Sequence, residues 1–159
     1  MLAHFKDYND VVGDHPMNMS ATTLALAAYA ATGETRYRDW ILEYIDAWVE
    51  RTESNGGLIP TNIGLDGSIG GETDGKWYGG VYGWGFSVYD PAKDGVVHRP
   101  GFQDRAHYGF GNAILLTGDR RYADVWGRMI DIVNSHVMEE KGNPIYPHSF
   151  GDQGWYNFT

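Results

Sequence analysis

A chain of 159 residues with 42% hydrophobic and 14% aromatic residues is long enough to bury a sizeable core and too apolar for a disordered segment. Its 12 basic residues against 21 acidic ones leave a net charge of −9 with no basic stripe, which disfavours nucleic acid and anionic membrane as partners and, more weakly, a polyanionic substrate. The lack of cysteine excludes disulfides, thiolate nucleophiles and zinc–cysteine sites.

Residues 1–18 are polar and turn-rich, without the basic and apolar regions of an export signal, which leaves the compartment open. No apolar run in the chain approaches the length of a membrane span. Pro16 fits a first helical turn, with Asp14, His15, Asn18 or Ser20 as candidate caps, and a helix is expected from there to about Ala31. Met19, Leu24, Leu26 and the alanines through Ala31 leave it almost no polar side, the pattern of an interior helix. Gly33 stops it as a C-cap. The next helix, about Thr35 to Arg51, sets Tyr37, Trp40, Ile41, Tyr44, Ile45, Trp48 and Val49 on one stripe, with charged residues over the remaining surface. The two helices read as an inner–outer hairpin.

A shift of 85 residues repeats the hairpin: Ala28, Thr32, Gly33, Arg36, Tyr37, Asp39, Ile45 and Asp46 fall on Ala113, Thr117, Gly118, Arg121, Tyr122, Asp124, Ile130 and Asp131. The outer stripe returns as Tyr122, Val125, Trp126, Met129, Ile130 and Val133, and only Val49 meets a polar residue, Asn134. Repetition at a fixed offset marks an array whose members bury one another's faces. The expected organisation is a single all-α segment, with hairpin one at about 18–52, a long loop at 53–102, hairpin two at about 103–138 and a partial loop at 139–159.

A loop as long as the one between the hairpins is usually functional or contains short strands, and both are expected here. Within it, WYGGVYGWGF places Trp77, Tyr78, Tyr82, Trp84 and Phe86 among four glycines. Glycine permits close backbone approach, while Trp and Tyr offer flat apolar faces with a polar tip, a combination that suits a sugar ring. The same run also reads as a strand or a packed plug.

The pattern apolar helix, Thr-Gly-acid-x-Arg-Tyr, amphipathic helix, at Thr32–Tyr37 and Thr117–Tyr122, resembles the hairpins of the α/α-toroid carbohydrate enzymes, the six-hairpin glycoside hydrolases and toroid polysaccharide lyases. The resemblance implies an incomplete toroid whose remainder lies in a longer chain or a partner subunit, and an activity that cleaves a poly- or oligosaccharide. It also implies that short turns lie at the back and long loops at the front. His15–Asn18, the Trp77–Phe86 run, Gln103–Tyr108 and Pro147–Trp155, His148 among them, would then line one substrate cleft, with Trp77, Tyr78, Tyr82, Trp84 and Trp155 as stacking platforms.

Two chemistries stay open. β-Elimination at a uronate needs a proton-abstracting base and a group that stabilises charge on the carboxylate; His107 or Tyr108 would supply the first and Arg105 the second. Hydrolysis needs two carboxylates flanking the scissile bond, for which Asp74 and Asp104 are the best-placed pair. Each candidate has an ordinary structural reading as well: Asp74 beside Gly75 is turn chemistry, Asp104 is a helix N-cap, and Tyr108 fills a core. A non-catalytic helical array that binds a glycan or a protein through the same aromatic loop is the alternative function. No metal-ligand spacing and no phosphate-binding loop is present in the sequence, so no metal or cofactor is expected.

Overall fold

The computed structural model describes residues 13–71, 73–79 and 108–159 in full, and residues 87–90, 95–98, 106 and 107 by their backbone. The chain divides into two compact units, a helical one of Pro16–Ile59 and Asp104–His136, and a sheet-bearing one of Met1–His15, Pro60–Gln103 and Val137–Thr159.

The helical unit begins with a 3-10 turn at Pro16–Ala21 and continues with α1 (Thr22–Thr32), α2 (Thr35–Ser54), α3 (Ala106–Thr117) and α4 (Arg121–Ser135). The expected repeat is visible atom by atom. Gly33 and Gly118 both take φ +70°, and their N–H groups close the helices on Tyr29 O and Ile114 O at 2.8 and 2.7 Å. Thr32 donates to Ala28 O and receives the N–H of Glu34; Thr117 donates to Ala113 O and receives that of Asp119. One turn chemistry is therefore written twice.

Met19, Ile41, Ile45, Trp48, Phe110, Ala113, Tyr122, Val125, Met129 and Val133 form the core of this unit. The stripe of α2 is buried at Ile41, Ile45, Trp48 and Val49, but Trp40 stacks on Tyr44 at 5.4 Å and is 43% exposed, so Trp40 is not the interior residue its stripe position suggests. The expectation of an interior α1 also fails. Only Thr22 of that helix is buried, and Leu24 is 76% exposed. Periodicity reports how apolar a helix is on each side, not which neighbour arrives to cover it.

The all-α class is overturned by the strands. β1 (Ser87–Asp90), β2 (Gly95–His98), β3 (Met138–Glu140), β4 (Asn143–Ile145), β5 (Pro147–Gly151) and β6 (Gly154–Phe158) form a four-stranded antiparallel sheet in the order β1-β2-β5-β6 and a separate β3–β4 hairpin. The architecture is mixed α/β, not an incomplete all-α toroid. The long loop and the C-terminal segment supply opposite halves of one sheet, joined at His98↔Phe150. The short strands expected in the long loop are present as β1 and β2, but together with the C-terminal strands they build a compact unit of their own rather than decorating a helical barrel. Their period-two signal is hard to hear, since each strand is only three to five residues long.

Candidate functional site

The most chemically distinctive place among the described residues is in the sheet-bearing unit, where residues 76–78 meet the β5–β6 hairpin. The backbone of that segment is clamped from one side. Thr61 N–H donates to Trp77 O at 2.7 Å, and its hydroxyl lies 2.8 Å from Trp77 O and 3.0 Å from Gly79 O. The Asn62 amide reaches Tyr78 O and Gly79 O at 3.2 and 3.1 Å. Asn62 O in turn accepts from Gly70, whose positive φ and tight fit require glycine: a Cβ there would stand 2.5 Å from the carbonyl carbon of Gly75. The side chains of Trp77 and Tyr78 are therefore presented from a fixed main chain.

They are presented to Phe150. On β5, Pro147, Ser149 and Gly151 are buried while His148 and Phe150 lie on the other face, as alternation requires. Phe150 pairs across the hairpin with Trp155, so both rings share that face. Phe150 is the hub of the cluster, with Trp77 at 4.9 Å, Tyr78 at 5.2 Å and Trp155 at 5.0 Å between centroids, all in tilted or edge-to-face geometry. The four rings are half-buried.

Asp152, in the turn between β5 and β6, caps the cluster with charge. Tyr78 Oη donates to Asp152 Oδ1 at 2.5 Å, and Lys76 Nζ lies 2.8 Å from Oδ1 and 3.0 Å from Oδ2. The hydrogen bonds from Lys76, then Tyr78, hold the Asp152 carboxyl below its usual range. The same bonds to Asp152 raise the Lys76 ammonium and the Tyr78 phenol above theirs. At neutral pH the trio is therefore an ammonium, a carboxylate and a neutral phenol. Such a carboxylate accepts hydrogen bonds; it has no proton to give as a general acid.

Of the residues singled out from the sequence, Trp77, Tyr78 and Trp155 are brought together. His148 shares the outward face of β5, exposed, with Nε2 2.6 Å from the Thr159 hydroxyl. His15 is half-buried beside a backbone pairing of Asp14 with Ile63, and burial lowers its pKa against the opposing pull of Asp14. Asp74 is exposed at φ +53° in a turn closed by Gly75 N–H to Gly70 O and Lys76 N–H to Thr73 O, the turn geometry its neighbours foretell. Asn18 and Tyr108 are exposed in the helical unit, Tyr108 in the first turn of α3 rather than in a core. Tyr82, Trp84, Asp104, Arg105 and the side chain of His107 lie outside the described residues. Among the described residues no group of three His, Asp or Glu side chains is placed to hold a metal ion. No helix among them is long and apolar enough to cross a membrane.

Lys76 carries the site without having been singled out from the sequence, whereas Phe150 and Asp152 lie within the Pro147–Trp155 stretch expected at the cleft but were given no role in binding a sugar there. The Gly-Asp-Gln-Gly turn between two aromatic-bearing strands is the local signal that could have drawn attention to Asp152. Nothing local links it to residues 76–78, which lie more than seventy positions away.

The helices, the antiparallel sheet and the ring cluster under a paired carboxylate define a mixed α/β protein with a preformed aromatic surface. Residues 8–159 match the family described as Domain of unknown function (DUF8034), and the chain belongs to that family. No curated protein and no solved structure matches it.

Proposed function

We propose that this protein binds a neutral poly- or oligosaccharide on the aromatic surface of Trp77, Tyr78, Phe150 and Trp155, and that recognition rather than proton transfer is what these residues perform. The observation that carries this reading is the pairing of a cluster of half-buried aromatic rings with an ionised carboxylate at its edge. A pyranose offers one face of C–H bonds that packs on an aromatic ring, and a rim of hydroxyls that donate to a carboxylate. Asp152 is 70% exposed at the side chain and so can take such hydroxyls while keeping Lys76. The fixed backbone of residues 76–79 limits the ordering cost of binding. A neutral glycan is favoured because the net charge of −9 repels polyanions and the local Lys76–Asp152 pair cancels itself.

The test is a titration of the protein with neutral and uronate-containing polysaccharides, followed by tryptophan fluorescence. Saturable binding of a neutral member, weakened about tenfold in Trp155→Ala with circular dichroism unchanged, is the expected result. Binding by no member of the panel, or Trp155→Ala binding as well as the native chain, would overturn the proposal and leave the cluster as packing alone.

A further inference from the structure

The hairpin repeat carries an interface that is built once inside the helical unit and left half-built on each side of it. Where hairpin two (α3–α4) meets hairpin one (α1–α2), Arg121 Nη2 reaches Asp46 Oδ1 at 2.6 Å and Tyr122 donates its hydroxyl to the same oxygen at 2.7 Å. Arg121 also donates to Tyr122 Oη at 2.6 Å and lies 4.6 Å over its ring, so guanidinium and phenol act as one clamp on one carboxylate. Asp119 steadies Arg121 from behind at 3.1 Å.

Hairpin one carries the same clamp. Arg36 donates to Tyr37 Oη at 2.9 Å, lies 4.7 Å over its ring and is steadied by Glu34 at 2.8 Å. Among the described residues no carboxylate occupies the place that Asp46 takes in the first clamp. Hairpin two, conversely, carries the acceptor: Asp131 is the repeat counterpart of Asp46, is exposed, and has no ion pair or hydrogen bond among the described residues. A clamp without an acceptor and an acceptor without a clamp stand on opposite members of the repeat.

The apolar positions follow the charges. Tyr122, Val125 and Gly109 of hairpin two are buried, whereas their counterparts Tyr37, Trp40 and Leu24 are half-buried, 43% exposed and 76% exposed. Ile41 and Ile45 of hairpin one are fully buried, whereas their counterparts Trp126 and Ile130 are half-buried. Each hairpin thus leaves less covered the side that its twin buries.

We propose that a second copy of this chain docks head-to-tail on the helical unit, its Asp131 face seated on the Arg36–Tyr37 clamp and on the apolar surface of Leu24 and Trp40. The contact is heterologous: two different patches of one chain fit each other, and the intramolecular joint of hairpins one and two is its template. Association then grows with concentration until the rotation per copy closes a ring.

Sedimentation velocity from micromolar to near-millimolar protein tests this with the exposed substitutions Arg36→Ala and Asp131→Ala. The native chain should sediment as concentration-dependent assemblies, and either variant alone should need about tenfold more protein to associate, the worth of losing a charged hydrogen-bonded contact. An equal mixture of the variants keeps one intact clamp and one intact acceptor on different chains, and should give dimers that stop growing at the concentration where the native chain associates. A native chain monomeric throughout, a variant that associates like the native chain, or a mixture no better than its components would each overturn the proposal.

Discussion

In the helical unit, a single methyl group placed at position 109 tests the packing of α3 against α2 and the 3-10 turn. In a helix interior alanine is better than glycine by about 1 kcal/mol, so on propensity alone Gly109→Ala should stabilise. A Cβ at 109, however, would stand 2.6 Å from Ile45 Cδ1, 2.8 Å from Met19 Cβ and 3.1 Å from Met19 Sδ. The end of Ile45 can turn aside, but Met19 Cβ is tied to the backbone of the 3-10 turn and moves only if that turn moves. Overpacking of this kind costs about 1–3 kcal/mol, which leaves Gly109→Ala about 0–2 kcal/mol less stable than the native chain. Gly111 lies two positions along the same helix, and a Cβ there meets nothing within 4 Å; the same holds for Gly127 in α4. Gly111→Ala and Gly127→Ala should therefore stabilise by about 0.5–1 kcal/mol. Urea unfolding followed by helical circular dichroism reads the three variants on one scale, provided the slopes agree. Gly109→Ala should fall below Gly111→Ala by about 1–3 kcal/mol. Equal stabilities, or the reverse order, would refute the close approach of α3 to Met19 and Ile45.

Further outcomes follow from the two units. Trp155→Ala should weaken binding of a neutral glycan by roughly tenfold, the worth of about 1.4 kcal/mol, in a fluorescence titration, and Asp152→Asn should weaken it without disturbing the sheet. Tyr122→Phe should destabilise the helical unit by roughly 1 kcal/mol in urea, because its buried ring loses the hydrogen bond to Asp46; an unchanged midpoint would detach that bond from the joint of the hairpins. Burial holds the His15 pKa below its ordinary value, so as pH falls through about 6.5 the unfolded chain takes the proton first. Stability should therefore decline below that pH and level off once folded His15 itself protonates. His15→Gln should flatten this slope in melting temperature against pH, and an undiminished slope would place its origin elsewhere.

Local chemistry was legible in the sequence wherever a few adjacent residues decide the outcome. The Gly33 and Gly118 caps, the threonines ahead of them and the offset of 85 residues depend on contacts within one turn of chain, and each is found where the repeat places it. The same is true of the turn at Asp74, since a residue ahead of glycine in a left-handed position is a local matter. The run around Trp77 was readable as rings amid glycines, open both to a ligand and to packing, and Trp77 and Tyr78 are found packed against Phe150.

What the sequence by itself determined, then, is the pair of hairpins and the chemistry of their turns, and what the tertiary structure decided is which surfaces meet. An apolar helix has no address: Leu24 and Ala113 belong to equally apolar segments, yet one is 76% exposed and the other is wholly buried. The pairing of β2 with β5 joins segments about fifty residues apart through main-chain hydrogen bonds that depend little on which side chains the residues carry, so it turned an expected helical array into a mixed fold without a strong local mark. That sheet sets Phe150 among Trp77, Tyr78 and Trp155 and carries Asp152 to Lys76, because a carboxylate finds its partner through space and not along the chain.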